Sequence, residues 1–140
     1  MSGKTASLCA LSILAVALAA CSGDSKKADN ADPNLFPTDY KREIFNTLTK
    51  KLDDPTGVHD AGITEPMLRQ AGTEQRYIVC IRADSRNAMR LYTGVKERVA
   101  YFYGGHLNQL VEATQGQCAN VVYQPWPELE KYCLAAKGCT

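Results

Sequence analysis

Near the middle of the chain, Tyr77-Ile78-Val79-Cys80-Ile81 forms an almost unbroken apolar run of β-favouring residues between Arg76 and Arg82. Such a run is stable as a strand only when both of its faces are covered, so residues 76–82 are expected as a buried central strand. The rest of the chain must supply partners and cover. With 140 residues in all, it has room for one ordinary domain.

The first partner reads as a helix. Tyr40, Ile44, Leu48 and Leu52 recur every fourth residue, and Phe45 widens the stripe. Thr38 or Asp39 can cap its start, and Asp53-Asp54-Pro55 ends it, because the residue before a proline avoids helical geometry. A turn-rich passage follows at Asp54-Pro55-Thr56-Gly57, and residues 58–69 are expected as irregular cover over a sheet. After the central strand, the polar run 83–90 is expected to break the order. Residues 98–103 then form a second strand, and Gly104-Gly105 signals a tight hairpin back into residues 107–114. Residues 119–123 read as a fourth short strand, closed by Pro125-Trp126-Pro127. Residues 128–136 follow as a brief terminal helix with Pro127 at its start. The expected fold class is α+β: an N-terminal helix packed on a small antiparallel sheet of three to four strands, all within 38–140.

The segment before this domain is different in kind. Lys4 precedes an apolar stretch at 8–20 of about 13 residues, short of the roughly 20 that span a bilayer. It ends in Leu18-Ala19-Ala20-Cys21, followed by Ser22. This pattern resembles the lipobox of bacterial lipoproteins. The resemblance implies a signal peptide over 1–20 that is cut away, with lipid attached to Cys21 as the first mature residue. Two or three acyl chains anchor a protein stably where one does not. Ser22 after the lipid-bearing cysteine implies the outer membrane, facing the periplasm. Residues 21–37 are polar and rich in small side chains, and read as a flexible tether. Sixteen such residues reach roughly 22 Å.

A second resemblance covers most of the folded part. Arg76-Tyr77-Ile78-Val79-Cys80-Ile81-Arg82, Tyr92-Thr93-Gly94, Arg98-Val99-Ala100-Tyr101-Phe102, Gly104-Gly105-His106-Leu107 and residues 123–130 look like small envelope lipoproteins and secreted proteins of α-proteobacteria, rhizobial relatives in particular. That family implies a location but no activity. The order of helix then antiparallel strands is also similar to the small assembly-factor lipoproteins of the outer-membrane β-barrel machinery, whose glycine-methionine helix start is absent here.

An extracytoplasmic location bears on the cysteines, of which there are six. Cys9 leaves with the signal and Cys21 carries lipid. Cys80, Cys118, Cys133 and Cys139 remain, an even number in an oxidising compartment. Three pairings are open to them. Cys133 and Cys139 can close a small C-terminal loop, in which case Cys80 pairs with Cys118 and staples the domain. Zinc sites favour tight pairs such as C-x-x-C, which are missing, so no metal is expected.

Sixteen lysines and arginines against 15 aspartates and glutamates leave a formal net charge of +1. That balance excludes a general nucleic-acid binder, and no cofactor is expected. Only His59 and His106 could serve a Cys–His or Ser–His mechanism, and neither lies in a nucleophile motif. What remains is aromatic. In Tyr101-Phe102-Tyr103, strand alternation sends Phe102 to one face and both tyrosines to the other. Tyr101, Tyr103 and Trp126 are the candidate binding surface for an envelope protein or a cell-wall partner. The expected function is a non-enzymatic, lipid-anchored envelope protein that binds through this face or a sheet edge. A purely structural spacer lipoprotein is the alternative, and a small periplasmic hydrolase using His106 is the third reading.

Overall fold

The computed structural model describes residues 32–132. The expected signal 1–20, Cys21 with most of the tether, Cys133, Cys139 and the far end of the terminal helix lie outside the described residues. Helix α1 (Tyr40–Lys51) leads into strands β1 (Asp54–Ile63), β2 (Met67–Ala71), β3 (Glu74–Arg86), β4 (Tyr92–Tyr103), β5 (His106–Glu112) and β6 (Gln124–Pro125), and a short helix α2 (Pro127–Glu130) follows. Every pairing is antiparallel, in the order β5-β4-β3-β1-β6 with β2 also on β3.

The architecture is sheet-dominated: among the described residues six strands stand where three or four were expected on a helix. Tertiary pairing accounts for the difference. β3 runs on to Arg86 although its second half is polar, because Ala83 and Ser85 face inward in alternation while β1 and β4 pair on both sides. β1 forms through the turn-rich passage by taking register shifts, with Gly57 at φ +68° and Asp60 at φ +51°. Residues 58–69 are therefore mostly strand, not irregular cover. β1 and β2 lie end to end along β3, interrupted where Pro66 offers no N–H. At the break Thr64 binds Cys80 through its backbone N–H (3.0 Å to the carbonyl), and its hydroxyl accepts from the Cys80 N–H at 3.0 Å. Residues 119–123 are not a strand. They belong to a covering loop, and β6 begins only at Gln124.

Helix α1 matches its expected span and lies on one face of the sheet, here called the inner face. Its stripe of Tyr40, Ile44 and Leu48 joins Val79, Ile81, Ala100, Phe102 and Leu110 in the main core, which Trp126 and Leu129 close from the side. A smaller cluster on the outer face comprises Ile78, Cys80, Val99 and Cys118, with Tyr101, Val121 and Tyr123 packed on it. The loop 113–123 covers that cluster and is fastened by the Cys80–Cys118 disulfide, whose Cα atoms are 5.9 Å apart. Among the described residues the structure contains this expected bond. It meets the demand of the central run for cover on both faces: Val79 and Ile81 lie under the helix, and Ile78 and Cys80 lie under the loop.

The end of the expected tether is in contact with the fold. Pro37 is fully buried, and the Phe36 ring stands edge-on to Tyr77 at 5.3 Å. Pro33 accepts a bond from the Gly104 N–H at 3.2 Å. The chain therefore meets the domain at the β4–β5 turn.

Candidate functional site

The outer face divides at Tyr101. Cross-strand neighbours in an antiparallel sheet share a face, so Tyr101 stands between Ile78 on β3 and Gln109 on β5. On one side lies Gln117 of the covering loop, whose amide donates to the Tyr101 hydroxyl at 2.7 Å. Away from the loop, toward Tyr103, the face is open to solvent. Tyr103 is 47% exposed, and the Arg76 guanidinium lies 5.0 Å from its ring centre, a cation–π contact. Glu74 accepts from the same guanidinium at 2.7 Å.

Two depressions flank the Tyr101 ring. One, of about 440 Å³, is bordered by Gly72, Arg76, Asn108 and Gln109. The other, of about 270 Å³, is bordered by Arg69, Gln70, Ile78 and Gln117. A phenol ring between two hollows rimmed by amides and guanidinium groups offers stacking, hydrogen-bond donors and acceptors, and positive charge within one span. The far end of the face is closed by Tyr123, which covers Arg82 at 4.8 Å and donates to Glu97 at 2.7 Å. Burial, and then the bond to Glu97, push the Tyr123 hydroxyl well above the usual phenol range.

The expected site residues do not all meet here. Tyr101 and Tyr103 share the outer face as alternation requires, with Phe102 buried on the other side. Trp126 is a correction: it is 2% exposed, and its ring packs edge-on against Phe45 at 6.2 Å in the main core. Its backbone N–H donates to the Ala61 carbonyl at 2.9 Å, which holds the chain at Trp126 against β1. Cys80 and Cys118 are bonded to each other, while Cys21, Cys133 and Cys139 lie outside the described residues. His106 is exposed at the β4–β5 turn, with Nδ1 3.0 Å from Glu43 Oε1. The other Glu43 oxygen accepts from the Leu107 N–H, so this carboxylate ties α1 to β5. Among the described residues, Glu43 is the hydrogen-bond partner of the His106 ring. His59 packs its ring on Tyr92 at 4.9 Å. Among the described residues no cluster of three or more histidine, cysteine or acidic side chains could hold a metal, and no helix is long and apolar enough to cross a membrane.

Arg76, Gln109 and Gln117 were not singled out from the sequence. The first two were within reach, since pairing 76–82 against 98–103 and the latter against the hairpin return places them beside the tyrosines. Gln117 depends on the disulfide and had no local signal. Comparison with protein-family models, with curated proteins and with solved structures finds no match.

Proposed function

We propose that the protein is a non-enzymatic, lipid-anchored component of a bacterial envelope. In this reading it binds another envelope component through the outer face around Tyr101 and Tyr103, or along the adjoining edge of β5. The observation that carries the binding reading is the solvent-facing Tyr103–Arg76 stack beside a Tyr101 ring set between two hollows. The lipid anchor rests on the Leu18-Ala19-Ala20-Cys21 pattern. The two fit together: Pro33 meets Gly104, next to Tyr103, so a tether from Cys21 would reach the domain beside the aromatic face. In this reading a tether of about a dozen residues would span roughly 19 Å and hold that face close to the bilayer, within reach of partners presented there.

A photo-crosslinking residue at Tyr103, compared with one at Lys41 on the helix, tests the binding reading in intact envelopes. Adducts formed from position 103 and lost when Tyr101→Phe and Arg76→Gln are combined support it. Equal capture from both positions removes the aromatic face from the function and leaves a spacer. For the anchor, Cys21→Ser should abolish palmitate incorporation and release the protein from membranes; continued pelleting after a salt wash rules out lipid attachment there.

A further inference from the structure

The inner face holds a second feature, unrelated to the aromatic surface. Helix α1 has 12 residues and covers about 18 Å, whereas the 12 residues of β4 extend over about 40 Å. The sheet outlasts the helix. The rows that bury Ala100 and Ile81 beneath α1 continue beyond its C-terminus as Arg98 and Lys96 on β4 and Ala83 and Ser85 on β3. There Arg98, Lys96 and Ser85 line a polar hollow of about 200 Å³, with Thr93, Asp53 and Glu112 on its rim.

Most of the charge in this hollow is already engaged. Lys51 donates to the Leu110 carbonyl at 2.8 Å, and Arg86 pairs with Asp54 at 3.1 Å. Lys96 is 3.7 Å from Glu112, and both are exposed. Arg98 differs. Its guanidinium makes no hydrogen bond or ion pair with the described residues, and its Nη1 is buried without a partner. Burial lowers the affinity of this guanidinium for its proton, which the nearby Glu112 charge only partly offsets. Arg98 as a whole is half-buried, but a buried guanidinium N–H left without an acceptor costs a fold free energy. Ser85, also buried, borders the same hollow.

We propose that this hollow is an oxyanion site, in which Arg98, Lys96 and Ser85 take the phosphate or carboxylate group of a small ligand. The guanidinium fork and the ammonium supply charge, and the hydroxyl supplies a neutral donor. The test is a titration of the full chain with inorganic phosphate, and separately with acetate, at ionic strength held constant with sodium chloride. Backbone amide shifts are the readout. Phosphate should produce saturable shifts at Ser85, Lys96 and Arg98, weakened roughly tenfold or more in R98M. R98M removes an unsatisfied charge, so its thermal midpoint should not fall; R98K, which keeps the charge without the fork, should bind at an intermediate level. E112Q should bind more tightly, having lost a competing carboxylate. Saturation by acetate as well assigns carboxylate ligands, and saturation by phosphate alone assigns phosphate. No saturable shift with either anion overturns the site, as does an equal response in the parent and R98M. So does a fall in thermal midpoint shared by E112Q and R98M, which would mark an internal pair filling the hollow.

Discussion

Replacing Cys80 and Cys118 by alanine, with Cys133 and Cys139 retained, isolates the staple between the central strand and its outer cover. The bridge spans a sequence separation of 38. Closing a loop of that length in the unfolded chain corresponds to about 4 kcal/mol in the chain-entropy description. Both sulfurs are buried, Cys80 completely, and losing them to alanine adds a packing cost of about 1 kcal/mol. The expected total of about 5 kcal/mol is a large part of the 5–15 kcal/mol that holds a domain of this size together. Urea unfolding followed by Trp126 fluorescence suits the measurement, since the chain has one tryptophan and it is buried. Hydrogen exchange gives the local counterpart: amides of the loop 113–123 should lose protection first, and Gln117 should release Tyr101. A total loss below about 1 kcal/mol, with loop protection unchanged, would refute the reasoning, because the loop would then be held by its apolar contacts alone.

Two further perturbations address the inner face. Glu43 is partly buried, which pushes its carboxyl up, but the Leu107 N–H and His106 outweigh that and hold it below the usual carboxylate range. A lowered folded value means that its stabilisation is present above the unfolded value and is lost as pH falls through the folded one. Glu43→Gln should therefore cost about 1 kcal/mol at neutral pH, with the gap to the parent closing in acid; a gap independent of pH in chemical denaturation would contradict this. Leu48→Ala should cost about 2–5 kcal/mol, because Leu48 is fully buried between α1 and the sheet, and a thermal midpoint within a degree or two of the parent would show that α1 does not carry the main core.

The sequence made the apolar parts of this fold legible and hid the polar parts. Tyr40, Ile44 and Leu48 specify α1 through a four-residue period, and residues 77–81 specify the centre of β3 through composition. Gly104-Gly105 turns β4 into β5 with both glycines at positive φ, as a tight hairpin requires. β1 was hidden because Pro55, Gly57 and Asp60 carry turn chemistry. They enter a strand only by taking bulges, which pairing with β3 stabilises. The second half of β3 was hidden for a related reason: its inward residues are Ala83 and Ser85, too small or too polar to register as an apolar alternation. Tyr101 and Tyr103 were legible as a shared face from alternation alone. Trp126 was misplaced because an aromatic residue between two prolines gives no period from which to read a face.

The two features of interest share one geometric cause. A helix of 12 residues cannot cover strands of 12 and 13 residues, and a loop pinned at Cys118 cannot cover the outer face beyond Gln117. Each face therefore has one end sealed by apolar packing and one end left to polar or amphipathic side chains. The uncovered ends are opposite: the outer face opens toward Tyr103 and Arg76, near the chain's entry at Pro33, while the inner face opens toward Arg98 and Lys96. About five residues of β4 separate Tyr103 from Arg98, or roughly 17 Å. A ligand in the inner hollow would therefore not touch a partner on the outer face. Communication between them would have to pass along β4 itself, whose residues 99–102 alternate between the two cores.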